Sequence, residues 1–113
     1  MHRGDVWQIN LDPTVGAEIK KTRPAVIVND DAIGILPLRV IVPITEWKDR
    51  YAVATWMVPL NPDAQNGLDK LSAADTFQVR SLSQSRFVQQ LGRLSEIAMV
   101  EISRALALVL AID

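Results

Sequence analysis

Apolar residues fall at strand-like spacing from the start of the chain. In DVWQINL (residues 5–11), Val6, Ile9 and Leu11 are separated by polar positions, and Asp12-Pro13 then supplies a turn, so a strand is predicted there. PAVIVN (24–29) is rich in β-branched residues and opens on Pro24, where a strand tolerates a missing donor. LRVIVPIT (38–45) is predicted as a third strand. Pro43 is expected to interrupt it with a bulge or an edge, because proline removes a ladder donor. Further strands are predicted over 53–60, over one or two stretches of 68–83 with a break near Asp75, and over 86–94. The stretches 12–22, 30–37, 46–52 and 61–67 carry proline, glycine, asparagine or clustered charge and read as connections.

The period changes near the C-terminus. Ser95 is placed to cap a helix with Glu96 in its first turn, where the dipole favours a carboxylate. Ala98, Ile102, Ala105, Leu106 and Val109 then recur at helical spacing. Past Arg104 the segment is apolar on every side, so that half is expected to be buried on more than one face, within the domain or against another subunit. The whole predicts one domain over residues 1–113, mainly β with α: a strongly curved sheet or partly open barrel of about six short strands with a C-terminal helix.

Composition narrows the chemistry. Charged residues make up 22% and the net charge is −1, so any polyanion site must be a local patch. There are no cysteines, and His2, at the N-terminus, is the one histidine. Thiolate metal sites and cysteine nucleophiles are excluded, and a histidine metal site or Ser-His-Asp triad would have to centre on that terminal imidazole. Glycine-loop nucleotide motifs are absent. The start lacks a secretory apolar region, and no apolar run reaches the roughly 20 residues needed to span a bilayer. The expectation is a cytoplasmic protein with no membrane contact, metal or cofactor.

What remains is Arg, Lys, Glu, Ser, Thr, Tyr and backbone groups. RNA carries its own nucleophile, the 2′-hydroxyl, so its cleavage needs alignment, charge stabilisation and two proton transfers. A guanidinium matches phosphate oxygens, and a hydroxyl fixed by the scaffold donates to them or orients the attacking group. Arg23 is biased toward extended geometry by Pro24, and Thr45 ends its strand just past Pro43. They are a candidate pair if the two strands adjoin in the right direction; otherwise they are an exposed arginine and a β-favouring threonine. Glu18, Lys20 and Lys21 form a local charged patch with Arg23, or a solvated loop. Trp47, in a charged loop beside Thr45, is a candidate for base stacking or a plug for the barrel end, whereas Trp7 and Trp56 fall within strand patterns and read as core. Gln78 and Arg80 are expected on one face of a strand, as base or phosphate contacts or as a solvent face.

The ordered motifs RGDVWQINLDPTVGAE (3–18), RPAVIVND (23–30), VPIT (42–45), FQVRSLSQSRF (77–87) and LGRLS (91–95) resemble the MazF/PemK family of toxins from bacterial toxin–antitoxin pairs over nearly the whole chain. The resemblance implies an SH3-like barrel, a homodimer, and metal-independent cleavage of single-stranded RNA leaving a 2′,3′-cyclic phosphate and a 5′-hydroxyl. It also implies that Arg23 and Thr45 are the catalytic pair, that Glu18 supports the site, and that a cognate antitoxin lays an acidic C-terminal segment over the same surface. Two positions depart from the family pattern: Ile19 stands where glutamine is frequent, and Phe77 where Asp or Glu is frequent. The alternatives are a CcdB-like toxin that binds DNA gyrase without cutting RNA, or an RNA- or antitoxin-binding chain without turnover.

Overall fold

The computed structural model describes residues 1–33 and 35–113. Seven strands lie in an antiparallel sheet: β1 (Asp5–Asn10), β2 (Thr22–Ile27), β3 (Leu38–Glu46), β4 (Met57–Leu60), β5 (Ser72–Asp75), β6 (Arg80–Ser83) and β7 (Phe87–Arg93). They pair in the order β4-β5-β3-β2-β1-β7, and β6 adds to β3, so the sheet stays open between β4 and β7. The helix α1 (Glu96–Leu110) follows.

The β-branched runs form strands because both sides of the sheet are covered. Val26 and Val28 of the β2 segment, with Val42 and Ile44 of β3, enter one core beneath Ile102 and Ala105 of α1. Ala25, Ile27 and Ile41 alternate to the opposite side and meet Ile9, Leu11 and Leu82. Period-two alternation thus feeds two apolar clusters, which is why these stretches carry so little polar alternation.

Pro43 does not interrupt β3. The strand runs unbroken from Leu38 to Glu46 and changes partners: β6 pairs with Leu38 to Ile41, and β5 pairs with Ile44 to Glu46. Pro43 sits in the gap between the two, where a missing donor leaves no acceptor unsatisfied. The strand expected over 53–60 is shorter, because 49–53 form a 3-10 turn, and Trp56 precedes β4 with 39% of its surface exposed. Trp7 is half-buried and meets the Phe87 ring edge-on at 5.7 Å.

Ser95 caps α1 as expected, its hydroxyl accepting from the Ala98 N–H at 3.1 Å. The expected all-round burial past Arg104 is not found within one chain. Ala105 is buried, whereas Leu108, Leu110 and Ile112 are 66%, 53% and 61% exposed. The helix has one face on the sheet, and its last turn overhangs the core. No described helix is long and apolar enough to cross a membrane.

Candidate active site

β2 and β3 pair through Ala25–Pro43, Val26–Val42 and Ile27–Ile41, and no registered pair lies beyond Ala25–Pro43 toward Arg23. Extended by two residues, this register sets Arg23 opposite Thr45, but the ladder has already parted. Arg23 instead pairs through β1, opposite Ile9, while Thr45 pairs through β5, opposite Ala73. A cleft of about 300 Å³ opens where the two strands diverge, and Arg23 and Thr45 both line it. Gln8 of β1, Thr22, Glu46, Asp69, Lys70 and Ser72 are the other polar residues that line it.

Arg23 is exposed, and its Nε donates to the Lys20 carbonyl at 3.3 Å, which steadies the stem. Among the described residues no carboxylate pairs with its guanidinium. Lys70 is otherwise placed, its Nζ lying 3.5 Å from the Glu46 carboxylate. The cleft thus offers one unpaired cation beside a hydroxyl, an arrangement suited to a phosphate. A larger hollow of about 720 Å³ lies against α1; Arg3 there donates to the Val28 carbonyl and the Ser103 hydroxyl, Arg93 pairs with Asp5, and Arg104 also lines it.

The wall carrying Asp69 and Lys70 depends on close backbone approach. A Cβ on Gly67 would lie 2.2 Å from the Leu91 carbonyl oxygen, and one on Gly92 would lie 2.2 Å from the Gln65 carbonyl oxygen. Buried Asn66 braces the same loop, accepting from the Leu68 N–H at 3.0 Å and donating to the Asn61 carbonyl at 2.8 Å.

Glu18 does not line this cleft. It borders a second cavity of about 470 Å³ with Ile19, Pro43, Phe77, Gln78 and Arg80, and its Oε1 accepts from the Val15 N–H at 2.6 Å. The structure does not place Gln78 and Arg80 on one strand face. Gln78 ends a 3-10 turn (Thr76–Gln78) capped by Asp75, and Arg80 begins β6. The Gln78 amide is taken up by the scaffold: Oε1 accepts from the Ile19 N–H at 2.6 Å, and Nε2 donates to Asp75 at 3.1 Å and to the Ala17 carbonyl at 3.3 Å. It clamps the connection between β1 and β2. Arg80 donates to the Leu11 carbonyl at 3.4 Å. Lys20 and Lys21 are exposed and line neither cavity; Lys21 adopts a left-handed φ of 70°, with its N–H on the Asp12 carboxylate at 3.1 Å. Trp47 is half-buried, edge-on to Tyr51 at 5.8 Å, and lines neither cavity.

Sequence reasoning did not single out Gln8, Glu46, Lys70, Asp69 or Asp75. Gln8 and Glu46 reach the cleft through strand pairing, and Asp69 and Lys70 reach it on the loop that precedes β5. Asp75 carried a break signal but no sign that its carboxylate would be buried at the clamp. Burial pushes its carboxyl above the ordinary value, and the hydrogen bonds from Phe77 and Gln78 oppose that shift without cancelling it. The folded state therefore binds this proton more tightly than the unfolded state. Its contribution to stability is largest at low pH and declines as pH rises through the raised value. The Tm of the wild type relative to Asp75→Asn is expected to fall as pH rises from below the ordinary carboxyl value of 3.8 through the raised one. A difference that stays flat over that range would refute the burial effect.

Among the described residues, no three His, Cys, Asp or Glu side chains group as a metal site. Comparison with known proteins adds four relationships. A family model described as PemK-like, MazF-like toxin of type II toxin–antitoxin system matches residues 2–110. The chain is 32% identical to endoribonuclease MazF9 of Mycobacterium tuberculosis, over 96% of this chain and 94% of the relative. In fold it is similar to the crystal structure of MazF from Deinococcus radiodurans, with a TM-score of 0.82 at 24% identity, covering 98% of this chain and 96% of that one. It is also similar to a mycobacterial endoribonuclease in complex with its cognate antitoxin, with a TM-score of 0.78 at 20% identity over 100% and 97% of the two chains.

Proposed function

The chain belongs to the PemK-like, MazF-like toxin family of type II toxin–antitoxin systems, and from that premise we propose that it is an endoribonuclease that cuts single-stranded RNA by metal-independent transesterification in the cleft between β2 and β3. The observation that carries this reading is the pairing of an uncompensated guanidinium, Arg23, with the Thr45 hydroxyl on the walls of one cleft. The substrate's 2′-oxygen attacks the adjacent phosphorus. The new 2′-O–P bond forms as the P–O5′ bond breaks, the 2′-hydroxyl loses its proton and the departing 5′-oxygen gains one. The products are a 2′,3′-cyclic phosphate and a 5′-hydroxyl. Arg23 neutralises the charge that builds on the non-bridging oxygens, and Thr45 donates a hydrogen bond to one of them. Glu46, Asp69 and Lys70 at the same cleft are groups able to carry the two protons.

Glu18 supports the groove from the neighbouring cavity. The cationic stretch with Lys20 and Lys21 attracts the RNA backbone, and a cognate antitoxin competes for it with an acidic C-terminal segment. The exposed apolar end of α1 buries itself in a homodimer, and the protein acts in the cytoplasm. Purified protein is expected to cut a pool of single-stranded transcripts at a short motif with EDTA present. Intact RNA together with inhibition of DNA gyrase would transfer the protein to the gyrase-binding class, and RNA binding without cutting would mark a chain without turnover.

A further inference from the structure

Phe77 and Trp56 form an aromatic pair that the apolar cores leave outside. Their rings meet edge-on at 6.1 Å, yet Phe77 is 66% exposed and Trp56 39% exposed. Phe77 borders the 470 Å³ cavity together with Glu18, Pro43 and Arg80. That cavity adjoins the cleft along β3: Pro43 lines the one and Thr45, two residues on, lines the other, a separation of about 7 Å along a strand. An exposed ring costs free energy in water unless something covers it, and here it stands beside a cavity that holds both a carboxylate acceptor and a guanidinium donor.

The backbone at this turn is fixed. Asp75 accepts from the Phe77 N–H at 3.2 Å, and Gln78 is held by the clamp to residues 17–19. The ring is therefore presented on a rigid turn, which lowers the ordering cost of stacking on it.

We propose that the Phe77 cavity is a nucleobase subsite, in which one unpaired base of the substrate stacks on Phe77, backed by Trp56, with its edge between Glu18 and Arg80. The inference rests on the ribonuclease reading for its ligand and on the exposed aromatic pair for its place. It makes Phe77 a determinant of sequence preference one step from the scissile phosphate, and it assigns no chemistry to Phe77.

The test compares wild type, Phe77→Ala and Phe77→Trp in two measurements. In cleavage-site mapping over a transcript pool, Phe77→Ala is expected to lose base preference at one position beside the cut. Its KM should rise by roughly 5- to 150-fold with kcat within a few-fold of wild type, and Phe77→Trp should restore the preference. In a binding measurement, a single-stranded 2′-deoxy oligonucleotide carrying the mapped motif (a random-sequence pool if no cut is found) should bind Phe77→Ala correspondingly more weakly and quench Trp56 fluorescence in wild type. Wild type that binds this oligonucleotide through Phe77 without cutting RNA would sink the nuclease reading and leave the subsite standing. Unchanged preference, KM and oligonucleotide affinity in Phe77→Ala would overturn the subsite, including the case in which that variant weakens only the grip of a protein partner.

Discussion

Arg23→Ala is expected to lower RNA cleavage by roughly 10³-fold or more, because it removes the cation that, among the described residues, the cleft offers unpaired to a phosphate. The loss should fall on kcat more than on KM, since the charge that Arg23 meets develops in the transition state. Stability should barely change. The side chain is exposed and its hydrogen bond in the structure is a single 3.3 Å contact with the Lys20 carbonyl, so the cost is expected within about 0.5 kcal/mol. Steady-state cleavage assays in EDTA, run beside thermal melts, separate the two effects. A variant that melts like wild type and still cuts at full rate would remove Arg23 from the chemistry.

Gly92→Ala is expected to act in the reverse order, on the fold first and on activity as a consequence. The new methyl would lie 2.2 Å from the Gln65 carbonyl oxygen and 2.6 Å from the Asn66 carbonyl carbon, both backbone atoms of a loop already pinned by buried Asn66. Neither neighbour is the far end of a flexible side chain, so the seam between β7 and the 61–71 loop must open. The expected cost is about 2–3 kcal/mol or more, equivalent to a fall in Tm of roughly 10 °C or more for a domain of this size. The loop also carries Asp69 and Lys70 to the cleft, so activity should drop even at temperatures where the variant is folded. A Tm within about 2 °C of wild type would show that the seam yields easily.

Much of the architecture could be read from the chain because its local signals agree with its packing. The β-branched runs of 24–29 and 38–45 correspond to residues entering two clusters on opposite sides of the sheet, and the Ser95 cap is a short-range device that needs no tertiary partner. Features that depend on pairing were less legible. Pro43 reads as an interruption because a lone strand cannot reveal that its partner changes from β6 to β5 at that residue. The overhang of α1 is invisible in an apolar run, which looks the same whether it is covered by its own domain or by another surface.

The candidate site divides along the same line. Arg23 and Thr45 carried chemical signals, an Arg-Pro step and a strand-end hydroxyl, but their approach follows from a register and from its failure two residues past Ala25–Pro43. Glu46 and Lys70 meet across β3 and the 61–71 loop, at a separation no spacing rule anticipates. Gln78 and Arg80 sit two apart, as a strand face would require, yet the Asp75 cap turns the chain between them and commits the Gln78 amide to residues 17–19. The same turn presents Phe77 to solvent, so the departure from the family pattern that sequence could only mark has a definite place beside the cleft.

The central claim is that the substrate supplies the nucleophile while Arg23 and Thr45 stabilise the reacting phosphate. Its most direct test uses a single-stranded RNA containing one mapped cleavage site, with the nucleotide 5′ to the scissile phosphate in ribo or in 2′-deoxy form, incubated in EDTA and resolved by mass. The ribo substrate should yield a fragment ending in a 2′,3′-cyclic phosphate and a fragment beginning with a 5′-hydroxyl, and the deoxy substrate should remain whole. Cleavage of the deoxy substrate at the same bond would contradict the account.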